Sequence, residues 1–262
     1  MLSAPSQEEI DATGLVVAPG FCDIHSHFDA QCTWDPLLSP SAAAGVTTVI
    51  GGNCGVGFAP ARRDMHEFVV QLMEGVEDIP AAALNEGLSW DWETFPEYLE
   101  ALASRDYACD IGMFVAHGPV RAYVLGERCN ESDKPGGPFR YPVTDEEIAE
   151  MSEVVRDAVA AGALGFSTNR LGGHRDGQGV CVPGTLGSAY EYTQLCKGAA
   201  LGGGGVAQFV SDFSSYDDIP RDQMDPAKQQ MRGQQDWEAL TFVSKEYEIH
   251  RIRSSVLVFI LG

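Results

Sequence analysis

The sequence has few basic residues and no long apolar run, and each absence argues against a class of partner. Its 262 residues include 17 Lys and Arg against 38 Asp and Glu, a formal net charge of −21. Nucleic acids and anionic membranes attract clustered basic side chains, so we expect neither as a partner. No run approaches the roughly 18 apolar residues of a membrane span. The N-terminal residues lack the basic start and apolar core of a secretory signal.

Closely spaced cysteine pairs are also lacking. The chain has seven cysteines, and no two of them form a Cys-x-x-Cys pair. An odd number of scattered cysteines favours mostly buried thiols in a reducing compartment, so we expect a cytoplasmic protein. Cys54 stands apart, because it lies between Asn53 and Gly55 where an apolar run enters a glycine-rich turn.

Continuous apolar runs alternate with segments of helical periodicity along most of the chain. The predicted strands are 21–25, 45–51, 110–116, 164–167 and 206–210, and the main predicted helices are 64–73, 90–104, 120–125, 144–161 and 188–201. The last two helices are separated by a strand, and Thr144 with Glu147 forms a capping signal. This order predicts an α/β fold with a parallel sheet under helical cover, typical of a (β/α) barrel.

Two histidines at the start of this pattern are candidate metal ligands. His25 and His27 are two residues apart, and in a strand such residues point to the same face. They follow Pro19-Gly20 and an apolar run at 15–18, which predicts that they begin a buried strand. Cys54 ends the second run, where its thiolate could supply a third ligand.

Several segments resemble the metal-dependent amidohydrolases. The sequences Ala-Pro-Gly-Phe-Cys-Asp-Ile-His-Ser-His at 18–27 and Gly-Val-Thr-Thr-Val at 45–49 are similar to the first two barrel strands of that superfamily. Gly-Asn-Cys-Gly-Val-Gly-Phe-Ala-Pro at 52–60 narrows the resemblance to the N-acyl-D-amino-acid deacylases, or D-aminoacylases, and segments 73–80 and 165–169 agree.

This resemblance implies a (β/α)8 TIM-like barrel that hydrolyses the amide bond of small N-acyl-D-amino acids. It also implies a Zn²⁺ cofactor, with Cys54 as a zinc ligand beside His25 and His27. Another amidohydrolase activity, ring opening of the dihydropyrimidinase or hydantoinase type, stays open as an alternative. Nothing in the sequence indicates an oligomeric state.

Three further residues are candidates for substrate binding. His117 ends the third predicted strand. Its side chain could be a metal ligand or a substrate-orienting group, and the alternative is a turn histidine hydrogen-bonded to the main chain. Arg121 and Arg170 lie near strand ends, where a guanidinium could hold the carboxylate of an N-acyl amino acid. Surface salt bridges are the alternative for both arginines. His174 lies in a predicted loop, where exposure to solvent is the favoured interpretation.

The chain departs from the pattern that the resemblance implies. Amidohydrolases of this kind take further histidine ligands from strands five and six and a general base, an Asp, from strand eight. The fifth predicted strand continues to Phe213 without a histidine, and no eighth strand is evident, so the catalytic base stays unassigned. We therefore expect an incomplete barrel at 21–216, preceded at 1–20 by the remnant of a small β-domain with a first strand and followed at 217–262 by an atypical tail. A non-catalytic truncated remnant is the second alternative.

Overall fold

The computed structural model describes residues 8–77, 79–133, 143–170, 174–176 and 179–210. The predicted tail at 217–262 lies outside these ranges. The strands are β1 (Phe21–Asp23), β2 (Val46–Gly51), β3 (Asp110–Met113), β4 (Val115–Ala116), β5 (Gly165–Asn169) and β6 (Val206–Val210). The helices are α1 (Ser39–Ala43), α2 (His66–Glu77), α3 (Ala81–Gly87), α4 (Phe95–Ala103), α5 (His117–Leu125), α6 (Asp145–Ala160) and α7 (Ala189–Leu201). Short 3₁₀ helices lie at Gln31–Thr33, Asn53–Gly55, Arg63–Met65 and Gly126–Asp133.

The strands form two parallel sheets of three, in the orders β1-β2-β3 and β4-β5-β6. All four strand pairings are parallel, as the continuous apolar runs predict. Parallel neighbours require crossover connections, and the helices supply them. The carboxyl ends of neighbouring strands therefore share one edge, where the polar residues that follow each strand collect.

The predicted third strand is divided between the two sheets. Its first part, β3, pairs with β2, and its second part, β4, pairs with β5. Phe114 separates the two parts and donates its main-chain N–H to the carbonyl of Gly51 at 3.0 Å. The prediction of one strand over 110–116 is therefore corrected to two short strands, because the run changes partner at Phe114.

Helix α6 begins as the sequence predicts. The Thr144 hydroxyl accepts the N–H of Glu147, and the Glu147 carboxylate accepts the N–H of Thr144. This reciprocal pair satisfies two main-chain donors at the helix start. The buried face of α6 packs against α7 and joins the main hydrophobic core.

The start of the chain differs from the prediction. The apolar run at 15–18 is not a strand, and the side chains of Leu15, Val16 and Val17 are 72%, 94% and 83% exposed. Strand β1 is short, and Phe21 is 67% exposed. The expectation of a buried first strand is wrong here, because β1 lies at the edge of its sheet with β2 on one side only. Among the described helices, none is long and apolar enough to cross a membrane.

Candidate metal centre

The side chains of His25, His27 and Cys54 come together beyond the ends of β1 and β2. One ligand atom from each residue lies within 4.8 Å of the others. His25 Nε2 is 3.1 Å from Cys54 Sγ, and the two imidazole rings meet edgewise with centroids 5.4 Å apart. The three residues predicted from sequence as metal ligands thus form one cluster, which we call the His-His-Cys cluster.

The two histidines follow β1 rather than lying in it, which corrects the predicted strand over 21–25. Asp23 ends the strand, and its Oδ1 accepts the main-chain N–H of His25 at 3.1 Å. Ser26 donates both its N–H and its hydroxyl to the carbonyl of Ile50, each at 3.0 Å. These bonds hold the segment against the end of β2, with an imidazole on either side of Ser26.

Cys54 lies in a tight turn that only an unusual backbone can form. Gly52 and Cys54 have φ angles of +72° and +57°, both in the left-handed region. A Cβ on Gly52 would stand 2.1 Å from the carbonyl oxygen of Phe114, so only glycine fits there. The Gly55 N–H donates to Ser167 Oγ at 3.1 Å, and that hydroxyl donates to the Gly52 carbonyl. Strand β5 therefore holds the turn that carries Cys54.

The electrostatics of the cluster favour neutral imidazoles. Burial, together with the neighbouring His25 and His174, lowers the pKa of His27 to about 4. Burial also lowers the pKa of His25, against the opposing charge of Asp23. The pKa of His174 is lowered by burial and by His25, so this predicted loop residue lies within electrostatic range of the cluster. Neutral imidazoles have a lone pair ready for a metal.

The donor set fits a zinc ion. Zinc in proteins binds imidazole nitrogen and thiolate sulfur, usually with four ligands in structural sites and three protein ligands in catalytic sites. The cluster offers two nitrogens and one sulfur, with spacing close enough for one ion. Among the described residues, this trio is the one group of His, Cys, Asp and Glu whose ligand atoms meet in this way.

A buried carboxylate lies beneath the cluster. Asp29 is 2% exposed, and its Oδ1 accepts the N–H of Gly52 at 2.6 Å. Burial raises its pKa to about 7, although the hydrogen bond from Gly52 opposes that rise. Its other oxygen, Oδ2, has no hydrogen-bond partner among the described residues. Asp29 thus positions the start of the Cys54 turn through the main chain.

Two of the three predicted substrate-binding residues, His117 and Arg121, lie in a buried ionic cluster with Glu191 on α5 and α7. His117 and Arg121 are 1% and 0% exposed, and both contact the carboxylate of Glu191. His117 Nε2 lies 2.8 Å from Glu191 Oε1, and Arg121 donates to the same oxygen at 2.5 Å. His117 Nδ1 is 2.8 Å from the hydroxyl of Thr168. These contacts tie α5, β5 and α7 together.

Arg170, also buried, follows β5 and contacts a loop and an aromatic ring. Its guanidinium donates to the carbonyl of Gly187 at 2.5 Å and lies 5.2 Å from the centre of the Tyr192 ring. The charged groups of Arg121 and Arg170 therefore have internal contacts, and neither is the surface salt bridge that stood as the alternative. The substrate-binding role of His117, Arg121 and Arg170 stays a prediction.

Two residues of the site were missed from sequence. Gln208 lies in β6 with its amide against the His-His-Cys cluster, and Glu191 is the carboxylate that Arg121 and His117 share in the ionic cluster. The available signal for Gln208 was a lone polar residue inside the apolar strand Val206–Val210. Glu191 lies in the first turn of α7, where an acidic residue is expected as part of the helix start and draws no attention.

Comparison with known proteins agrees with this geometry. The sequence model of the amidohydrolase family matches residues 8–246. A D-aminoacylase from Alcaligenes xylosoxydans xylosoxydans is 31% identical over 213 residues, which is 81% of this chain and 38% of that protein. The chain thus spans well under half the length of this relative.

Two solved structures share the fold over most of the chain. One is a D-aminoacylase structure that concerns the functional role of the binuclear metal centre. Its TM-score is 0.59 at 26% identity, and the match covers 88% of this chain and 39% of the D-aminoacylase chain. The other is an N-acyl-D-glutamate deacylase from Bordetella bronchiseptica, complexed with zinc and a phosphonate that mimics the tetrahedral intermediate. Its TM-score is 0.55 at 25% identity, covering 79% of this chain and 37% of its own.

Proposed function

Because the chain belongs to the amidohydrolase family, we propose that it is a zinc-dependent hydrolase of N-acyl-D-amino acids. The observation that carries the proposal is the His-His-Cys cluster, which collects three zinc-type ligand atoms at the ends of two parallel strands. This edge is where (β/α) barrels place their active sites. Similarity to D-aminoacylase and to a zinc-bound N-acyl-D-glutamate deacylase supports the substrate class.

In this proposal, His25, His27 and Cys54 hold the zinc ion. Bound zinc would supply a Lewis acid that polarises the carbonyl of the scissile amide. The two imidazoles are already neutral, so the Cys54 thiol is the ligand that must lose a proton on binding. Asp29 and Ser167 hold the Cys54 turn in place through the Gly52 and Gly55 main chain.

The general base stays unassigned. Six strands are described, and the strand-eight Asp that the family resemblance implies has no counterpart in them. Asp212, which follows β6, lies outside the described residues. We propose no proton-transfer residue.

Composition bears on the partner and the compartment. The net charge of −21 argues against nucleic acid as a partner, and the small-molecule substrate is supported by similarity to the deacylases. All seven cysteines are thiols, and six of them are buried. A thiol ligand and a set of buried thiols fit a reducing compartment, so we propose a cytoplasmic location.

The test is zinc content and turnover measured on the same folded preparation. We expect stoichiometric zinc by elemental analysis, a clear loss of zinc in Cys54→Ser, and hydrolysis of N-acetyl-D-amino acids that a chelator abolishes. The N-acetyl-L-amino acids are the matched control substrates and should react more slowly. Ring opening of a dihydropyrimidine or hydantoin instead would replace the substrate class. Folded protein with zinc but no turnover on either class would indicate a non-catalytic remnant.

A further inference from the structure

Gln208 contacts two members of the His-His-Cys cluster, His25 and Cys54. It is the third residue of β6, and it is 3% exposed. Its Oε1 accepts the main-chain N–H of Cys54 at 3.0 Å, and its Nε2 lies 3.4 Å from His25 Nδ1. The same Nε2 donates to Asn53 Oδ1. One buried amide therefore joins two predicted ligands and the turn between them.

The orientation of this amide is determined from both ends. Asn53 Nδ2 donates to the carbonyls of Ser26 and Ile50 at 2.9 and 2.7 Å, so Asn53 Oδ1 is left to accept. Only the NH₂ end of Gln208 can donate to that oxygen. Its carbonyl end then faces the Cys54 N–H, which can only donate. Turning the amide over would break both contacts.

This orientation determines where His25 carries its proton. The NH₂ of Gln208 has two hydrogens and no acceptor, so the facing Nδ1 of His25, 3.4 Å away, is placed to accept. A neutral imidazole with an accepting Nδ1 has its proton on Nε2. That nitrogen is 3.1 Å from Cys54 Sγ, so the N–H points at the sulfur. For Nε2 to face a metal instead, the proton must move to Nδ1, opposite the amide hydrogens of Gln208.

Gln208 also supports a strained residue. Cys54 has φ +57°, in the left-handed region, which costs a non-glycine residue free energy. Cys54 is buried, and a buried main-chain N–H without an acceptor would add to that cost. The Gln208 carbonyl supplies the acceptor and so favours the turn that presents the sulfur.

We propose that Gln208 is a positioning residue of the metal centre, which holds the Cys54 turn and keeps the His25 ring proton on Nε2 until a metal displaces it. The proposal rests on the metal role assigned above to His25 and Cys54, but its first test requires no metal. The positioning role of Gln208 does not depend on which substrate the protein hydrolyses.

The first experiment locates the ring proton in the metal-free full chain. Long-range ¹H–¹⁵N correlation of ¹⁵N-histidine protein should show His25 protonated at Nε2, with the signals assigned by their loss in His25→Asn. In Gln208→Glu the carboxylate can only accept, so the proton should move to Nδ1. A His25 tautomer that is the same in wild type and Gln208→Glu would overturn the proposal.

The second experiment measures zinc affinity by competition with a chromogenic chelator. Gln208→Leu removes the acceptor of the Cys54 N–H, and this loss should weaken zinc binding by about tenfold, as outer-shell changes at metal sites do. The loss of the turn contact outweighs the relief of the amide hydrogens that oppose a proton on His25 Nδ1. Gln208→Glu should bind more tightly than Gln208→Leu, because its carboxylate accepts both the Cys54 N–H and the His25 Nδ1–H. The sulfur-to-metal band of the cobalt form should shift in Gln208→Leu.

The control is Ser152→Ala, which removes a side-chain hydrogen bond between α6 and α7, away from the Cys54 turn. Ser152 Oγ donates to the carbonyl of Gln194 at 2.8 Å. It should lower stability while leaving zinc affinity, the cobalt band and the His25 signals unchanged. Wild-type zinc affinity in folded Gln208→Leu would overturn the proposal. If the wild type itself binds no zinc, the proposed function fails, and the ring-proton experiment still decides the role of Gln208.

Discussion

Two buried carboxylates in this chain have opposite pKa shifts. Asp29, beneath the His-His-Cys cluster, and Glu191, in the ionic cluster, are each 2% exposed. Burial raises the pKa of Asp29 to about 7. Burial also acts to raise the pKa of Glu191, but Arg121 and His117 outweigh it and bring the pKa to about 2. Neighbouring charge, rather than depth, decides which carboxylate stays ionised.

The comparison separates a region that supports the fold from a region that can react. In the ionic cluster the charges of Arg121 and Glu191 neutralise each other inside the protein, which ties helices together. At the His-His-Cys cluster the imidazoles are neutral and half-buried, and the backbone of Cys54 is strained. Unusual backbone and lowered imidazole pKa values are typical of functional sites.

The largest expected effect is on stability, from removing the shared carboxylate. Glu191→Ala removes the carboxylate that pairs with the fully buried Arg121, so the free energy of unfolding should fall by about 3–5 kcal/mol. Urea denaturation followed by circular dichroism measures this. The control is Glu153→Ala, which removes an exposed ion pair with Arg156 and should cost less than about 1 kcal/mol. Equal urea midpoints for the two variants would contradict the supporting role of Glu191.

The next effect concerns Asp29 and pH. Its pKa is raised from 3.8 to about 7 in the folded protein, so the folded state binds this proton more tightly than the unfolded state. Its contribution to stability is therefore full below about pH 4 and is lost as the pH rises through about 7. Asp29→Asn keeps an acceptor for the Gly52 N–H but cannot ionise.

As the pH rises, the free energy of unfolding of Asp29→Asn should therefore increase relative to that of the wild type, by at most about 4 kcal/mol. Urea titrations of metal-free protein at several pH values give this difference. A constant difference between the two proteins from about pH 4 to about pH 7 would show that Asp29 is not a titrating group in this range.

A smaller effect is the stabilisation that zinc gives. If zinc binds the folded state alone, a free concentration one hundred times Kd should raise the free energy of unfolding by about 2.7 kcal/mol. Cys54→Ser should lose most of this gain, while Glu191→Gln should keep it. Thermal melts with and without zinc make the measurement. An equal gain in Cys54→Ser would place the binding site elsewhere.

The smallest expected effect is at the start of α6. Thr144→Ala removes half of the capping box and should cost about 1 kcal/mol. Because α6 packs on α7, which carries Glu191 of the ionic cluster, Thr144→Ala should destabilise that region, and zinc affinity should not change. Thr144→Ser, which keeps the hydroxyl, should be close to wild type. A zinc affinity that falls with the cap would show that the two regions are coupled.

Much of the fold follows from local patterns in the sequence. Helix α6 begins at its predicted capping box, and β6 has the predicted bounds Val206–Val210. The (β/α) character is also confirmed by parallel pairing and by the shared fold. These features depend on residues within a few positions of one another, which is why periodicity and capping signals are sufficient.

Contacts between distant parts of the chain could not be predicted from local sequence patterns. The exposed run at 15–18 reads as a buried strand because an apolar run does not reveal what covers it. The 110–116 run reads as one strand because its change of partner depends on where β2 and β5 end. Phe114 itself shows no local signal of the break.

For the candidate site, the sequence by itself determined the three side chains of the His-His-Cys cluster and the glycines that let Cys54 turn. Only the tertiary structure decided which buried groups surround them. Gln208 is 154 residues from Cys54 along the chain, yet its carbonyl accepts the Cys54 N–H. Glu191 is 70 residues from Arg121, the cation that it pairs. Spacing along the chain reports side chains on one element, whereas hydrogen bonds between distant elements exist only once the sheet and helices have packed.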